Sequence, residues 1–327
     1  MPNRFNMFIH YYPPNLLKQS KIWLVLVVLW VINGSSFLAI KVSIDTIPPL
    51  FSAGIRFSLS GAALFIVYLL RNRATHEHGE RIGVQQWKDT LVLGVSLFVG
   101  GQGLLVWGTQ YLSSGITGLL NSTIPLWVAL ISMLVFRKHL TKKMITGLLA
   151  GFGGLMLLIA PSLGNGTLSP VGTAALITSS IAWAVGSLYS TKAHLPISIL
   201  ASSGMLLLVG GLMLLVPSFV LREFDAVRLS QISTASTIAL LYLIIVTSMI
   251  GFTDFYWLVR MTTAALANTF AYVSPVIAVF LGWAILKEPI TSLMLVAMSV
   301  ILIGVALMVT TSSKSKSKSK NKPIINN

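Results

Sequence analysis

The chain contains no cysteine, which excludes disulfides, thiol catalysis and thiolate metal sites. Charge is nearly as scarce: charged residues are 9% of the 327, where a soluble domain carries about a quarter. Water is therefore not the main solvent of this chain. Neither HExxH nor the phosphate loop GxxxxGK[ST] occurs, so zinc-protease chemistry and ATP hydrolysis are not expected. The five histidines, His10, His76, His78, His139 and His194, lie in tails or between apolar runs. The segment His76-Glu77-His78 is too short and loop-like for a zinc centre. No catalytic residue, cofactor or metal site is expected, and an intramembrane aspartyl enzyme would need a second acid beside Asp254.

What fills the chain is apolar, with 55% hydrophobic residues. A helix needs roughly 20 apolar residues to cross the ~30 Å hydrocarbon layer. Ten runs of that kind occur, at 22–39, 49–70, 90–107, 113–136, 144–160, 171–190, 197–220, 237–257, 263–286 and 292–311. Lipid offers an open backbone no hydrogen bonds, and a barrel would show short alternating segments, so these runs are helices. The expected class is an all-α integral membrane protein with ten transmembrane helices.

The net charge of +15 is placed asymmetrically. With the N-terminus in the cytoplasm, eighteen of the 23 Lys and Arg fall on that side, and the positive-inside rule puts both termini there. Residues 1–21 form a cytoplasmic N-terminal segment. Residues 312–327, a Ser-Lys repeat, have too little apolar surface to fold and form a disordered tail against anionic lipid. The basic balance is of the juxtamembrane kind, so nucleic acid is not an expected partner.

The chain also repeats itself. Residues 121–141, NSTIPLWVALISMLVFRKHLT, align without a gap on 271–291, AYVSPVIAVFLGWAILKEPIT, at an offset of 150. At the same offset Gly101 meets Gly251, Trp107 meets Trp257, Met144 meets Met294 and Gly154 meets Gly304. The halves are 22–160 and 171–311, five helices each. Five is odd, so the second half enters the membrane inverted. The loop 137–143 carries four cations, whereas its copy 287–293 carries one cation and one anion. Inverted repeats are a transporter signature, since two such halves can rock about a midplane site. Removing residues 18–39 as a signal peptide would leave the first half a helix short.

Pro125 and Pro275 each remove a backbone donor in mid-helix, either as a packing kink or at a cavity wall. Two ionisable groups sit within apolar runs. Asp254 is a candidate for proton coupling, or else stays wetted or meets Arg260 or Lys192. Arg56 either clamps a carboxylate solute or snorkels to the outer surface. Thr117, Asn121 and Pro125 share one helical face, as do Asn268, Tyr272 and Pro275. These faces offer hydrogen bonds to a solute or between helices. Trp107, Trp183, Tyr189, Tyr256, Trp257 and Tyr272 add aromatic faces for an apolar or cationic solute or else belong to interfacial belts, Trp107 and Trp257 being related by the repeat.

Several segments resemble EamA-type permeases of the drug/metabolite transporter superfamily. They are NGSSF (33–37), IPPLFSAGIRF (47–57) and SSGITGLLNSTIPLW (113–127) in the first half. In the second they are WAVGSLYS (183–190), FYWLVRMTTAALANTFAYVSP (255–275) and LKEPIT (286–291). The resemblance runs from about 22 to 311. It implies two inverted five-helix halves around a central cavity and export of small metabolites or drugs, amino-acid-like or amphipathic, across a bacterial inner membrane. Proton antiport and uncoupled uniport or a channel are the two forms of that activity. The chain departs from the family pattern at Asn33, where a Trp is frequent, and at Lys138, which stands opposite Glu288. Asp254 belongs to none of the family's motifs. The expected cavity residues are Asn33, Arg56, Trp107, Thr117, Asn121, Pro125, Trp183, Tyr189, Trp257, Asn268, Tyr272 and Pro275.

Overall fold

A computed structural model describes residues 16–75, 82–136, 142–164, 168–190, 192–261 and 270–320. Among these residues the chain is helical, with no strand. In chain order the helices are α1 (Leu16–Ser43), α2 (Pro49–Thr75), α3 (Val84–Thr109), α4 (Ser114–Asn121 continued by Ile124–Phe136) and α5 (Lys142–Gly164). The second half supplies α6 (Pro170–Ser190), α7 (Ile199–Val220), α8 (Thr234–Tyr242, Leu243–Gly251 and Phe252–Met261), α9 (Phe270–Leu286) and α10 (Ser292–Lys320). Seven helices among the described residues are long and apolar enough to cross a membrane, and Val273–Leu286 and Ser292–Gly304 are shorter apolar helices.

The repeat seen in the sequence is reproduced in the packing. Helix α2 packs along α7, and α5 along α10. Gly54 meets Leu215 while Gly204 meets Phe65, so α2 and α7 run antiparallel. Adding 150 to one residue of each pair and subtracting it from the other converts the first contact into the second. The same exchange converts Gly61 against Leu208 into Gly211 against Ser58. It also converts Gly151 against Gly304 into Gly154 against Ile301, and α5 is likewise antiparallel to α10. The glycines remove the side chain where two backbones approach, which is how helices associate when lipid supplies no hydrophobic drive.

Helices α3 and α8 share a second feature. Each widens to a π-helix in its middle, at Gly94–Gly103 in α3 and Leu243–Gly251 in α8. Such wide turns occur mostly as short insertions and frequently at functional sites. The main core is built from α1, α2, α3, α7 and α8 and contains Phe57, Phe98, Leu206 and Leu243. A second core joins α4, α5, α6, α9 and α10.

Two sequence readings change. Pro125 is not in mid-helix: α4 breaks at Ser122 and Thr123, and Pro125 occupies the first turn of the restarted helix, where its missing N–H costs nothing. Pro275 does lie inside its helix, so the two prolines are matched in sequence but not in role. Helix α10 continues to Lys320, through residues 312–320 that composition assigns to an unstructured tail. A helix already propagated through an apolar span needs no new nucleus, and lysine is a fair helix former.

Candidate functional site

Arg56 is the buried cation of the main core. It stands on α2 at 4% exposure. Its Nε donates to Ser248 Oγ at 2.8 Å, on the π-helical stretch of α8. Ser60, one turn along α2, donates its hydroxyl to Arg56 O at 2.7 Å and to Ile244 O at 3.1 Å, so two residues of α2 grip the same stretch. Arg56 Nη1 is buried without a hydrogen-bond partner among the described residues. Beside it lies a small hollow walled by Ile40 and Ile44 of α1, Ser52 and Ala53 of α2, Val106 of α3 and Leu243 of α8. Arg56 thus stays inside the bundle; it does not snorkel to the surface.

The other predicted residues are distributed over the bundle rather than gathered around one hollow. Trp107 is half-buried on α3 against the main core, its ring edge-on to Tyr111 at 5.2 Å. Trp183 of α6 lies over Gly101 of α3. Asn33 donates to Leu29 O of its own helix at 2.9 Å, and the adjacent Gly34 packs on Ile277 and Ser274, next to the buried Pro275. Thr117 is fully buried and donates to Ser113 O at 2.9 Å, while Asn121 is half-buried at the end of the first segment of α4. The break after Asn121 removes Pro125 from the face it was expected to share. Trp257 lies against α1, with Lys21 Nζ 5.7 Å from its ring centre, a contact that anchors the ends of α1 and α8. Asp254 is half-buried and has no ion-pair or hydrogen-bond partner among the described residues. Asn268 lies outside the described residues, as do the side chains of Tyr256 and Tyr272.

Tyr189 has a more definite place. Its hydroxyl donates to Asp89 Oδ1 at 2.7 Å. Asp89 Oδ2 accepts the His194 backbone N–H at 2.6 Å and lies 3.0 Å from His194 Nδ1. Asp89, buried on α3, therefore ties that helix to the end of α6 and the connection after it. The apolar run begins at residue 90, so sequence reading set Asp89 outside the helix that holds it.

At the opposite end, carboxylates of the second half hold helix starts of the first. Lys287 adopts a left-handed backbone, φ 56°, which ends α9 and swings Glu288 onto α4. Glu288 accepts from Ser114 N at 2.7 Å, Gly115 N at 3.3 Å and Ser114 Oγ at 2.8 Å. The Leu-Arg-Glu after α7 does the same. Arg222 has φ 56°, and Glu223 accepts from Phe51 N at 2.7 Å and Leu50 N at 3.3 Å at the start of α2. Negative charge at a helix N-terminus satisfies orphan donors and complements the macrodipole. The Lys-Glu-Pro motif is thus an interhelical cap. Replacing Glu288 by alanine orphans both amides, and we expect a loss of about 2 kcal/mol of stability, within the 1–3 typical of a partly buried unsatisfied donor. Denaturation in detergent measures this; a variant as stable as the parent would refute the cap. Lys41 completes this end, its Nζ donating to Thr109 O at 2.9 Å and Leu112 O at 2.8 Å, near the end of α3.

Residues 20–160 and 170–310 each match the EamA-like transporter family. The chain is 30% identical over 283 residues to the uncharacterised inner membrane transporter YedA of Escherichia coli (strain K12), across 86% of this chain and 88% of that protein. It is 26% identical over 272 residues to the uncharacterised transporter YoaV of Bacillus subtilis (strain 168), across 83% and 90% of the two chains. A solved crystal structure superposes with a TM-score of 0.60 at 18% identity, covering 91% of this chain and 99% of the other, a likeness of fold alone. With two family matches lying over a helical bundle whose contacts repeat at the same spacing, this chain belongs to the EamA-like transporter family and is a multi-pass inner membrane protein.

Proposed function

We propose that the protein is a secondary transporter that exports small metabolites or drugs by alternating access, through ten membrane crossings arranged as two inverted halves with both termini cytoplasmic. The observation that carries this reading is the paired packing of α2 on α7 and of α5 on α10, antiparallel and related by the 150-residue exchange. Two halves of one design, oppositely directed, have two arrangements of similar energy, each opening a shared midplane site to one face.

Charge supports the orientation. At the positions where the second half carries the capping Glu223 and Glu288, the first half carries Arg73 and Lys138. Acidic caps on one side and cations at the equivalent positions on the other are the pattern expected when the second side is cytoplasmic. The absence of cysteine makes the test direct, since any cysteine introduced is the sole label site. Leu140→Cys and Ile290→Cys are expected to react with an impermeant maleimide from opposite faces of the membrane. Labelling of both from one face would remove the inverted topology and the rocking mechanism with it.

Proton antiport is the form of coupling we assign, through Asp254. It is half-buried and without a partner among the described residues, in the first turn after the π-helical stretch of α8. An intramembrane ionisable group of this kind is a functional candidate.

A further inference from the structure

We propose that Arg56 and Ser248 form the recognition point for a solute carrying a single carboxylate, an inference that rests on the transport reading and names its substrate class. A buried charge in a membrane bundle needs a counter-charge, and no acidic side chain lines the hollow at Arg56: the walls are Ile40, Ile44, Ala53, Val106 and Leu243, with Ser52 the one polar wall. Ser248 takes Nε and leaves Nη1 buried and unpartnered. Thr247 Oγ1, beside Ser248 and four residues from Leu243, is likewise buried and unpartnered among the described residues. The orphaned Nη1 at this apolar hollow awaits a polar ligand, because a buried guanidinium donor left unmade carries a large desolvation penalty.

The repeat separates this function from architecture. At the 150-residue exchange Arg56 corresponds to Leu206 and Ser248 to Phe98. Both are buried apolar residues of the main core. The fold therefore builds the same junction in the other half without any polar group. Arg56 and Ser248 are an addition to the scaffold, not a requirement of it.

The chemistry selects the ligand. A carboxylate oxygen at Nη1 receives a charge-assisted hydrogen bond and neutralises the guanidinium. One cation balances one negative charge, so a phosphate dianion would bring a surplus charge into an apolar wall. The hollow is a packing gap with no room for a water molecule. The carboxylate head and the remainder of the solute therefore lie in space opened when the π-helical stretch of α8 moves away from α2, which uncovers Nη1.

Acids paired with their own amides test this: benzoate with benzamide, and phenylalanine with phenylalaninamide, added to the purified protein while thermal stability is recorded. The acids are expected to stabilise the parent and the amides not. Arg56→Leu, the residue the other half carries, is expected to fold and to lose at least about tenfold in affinity for the acids, the loss of one charge-assisted hydrogen bond. Arg56→Lys keeps the charge without the guanidinium fork and falls between. Equal shifts from acid and amide, an Arg56→Leu protein that responds like the parent, or no response to any acid overturns the inference. The same compounds loaded into proteoliposomes separate it from the reading beneath it. Protein-dependent flux with no advantage for the acids refutes the carboxylate site and leaves transport standing, whereas no protein-dependent flux of any of them refutes transport.

Discussion

Alanine at Gly211 is expected to destabilise the folded protein by about 3 kcal/mol, the upper part of the range for overpacking a core. The added Cβ would collide with the amide nitrogen of Ser58, and would stand 2.6 Å from Ser58 Oγ and 2.8 Å from the Phe57 carbonyl carbon. A side chain could rotate away, but backbone cannot, so α2 and α7 must separate along their length. Their separation also strips van der Waals contact from the pairs around Gly54, Gly61 and Gly204, because all four glycines serve one seam. Gly153→Ala is the control. Nothing lies within 4 Å of its Cβ position, so the change is neutral or mildly stabilising, within the ~1 kcal/mol by which alanine exceeds glycine in a helix. Unfolding of the three proteins in the same detergent decides the matter. Should Gly211→Ala prove as stable as Gly153→Ala, the α2–α7 seam would not be the close backbone contact described here.

Asp254→Asn is expected to abolish acceleration of efflux by an inward proton gradient, while solute binding measured by thermal shift survives. The substitution keeps the shape of the side chain and removes the proton it exchanges. An ionised carboxyl costs at least ~2.5–3.5 kcal/mol at the centre of a membrane helix, so its charge state is tied to whether water reaches it. In an alternating mechanism the two faces supply that water in turn, which is the requirement for coupling. Asp254 occupies the first turn after the wide stretch of α8, where a change in helical winding would alter its surroundings. Proton dependence unchanged in Asp254→Asn would leave an uncoupled uniporter, with the topology and the Arg56 site untouched.

Much of the architecture is legible in the sequence. The apolar runs locate helices because a membrane span must be both long and apolar, and these demands leave a mark in every window. The seven long spans fall on runs read from composition. The gapless match of 121–141 with 271–291 announced the two-fold packing that the Gly54, Gly61, Gly204 and Gly211 contacts realise. Arg56 stood out because a charge in an apolar run is costly wherever it points.

The local details were not legible, for equally physical reasons. Pro125 and Pro275 are matched letters at matched positions, yet Ser122 and Thr123 bond to carbonyls three residues back, Leu119 and Leu120, and end the first segment of α4. Proline marks a missing donor and says nothing of whether a helix begins or bends there. Asp89 looked like loop because hydropathy falls at a helix end. What keeps it buried is the Tyr189 hydroxyl and the His194 amide, a hundred residues away. Nothing in the letters that follow α7 and α9 says that Glu223 and Glu288 reach the starts of α2 and α4.

Composition and spacing alone determined that the chain lies in a membrane as helices, and that it is built twice. Solvation and periodicity act on each segment separately, so a linear text can record them. Tertiary structure decided which polar groups meet: the carboxylate of Glu288 on the start of α4, Asp89 between α3 and α6, and Arg56 with one donor taken by Ser248 and another left open. Hydrogen bonds act over about 3 Å between residues distant along the chain, and only packing brings such residues within that range.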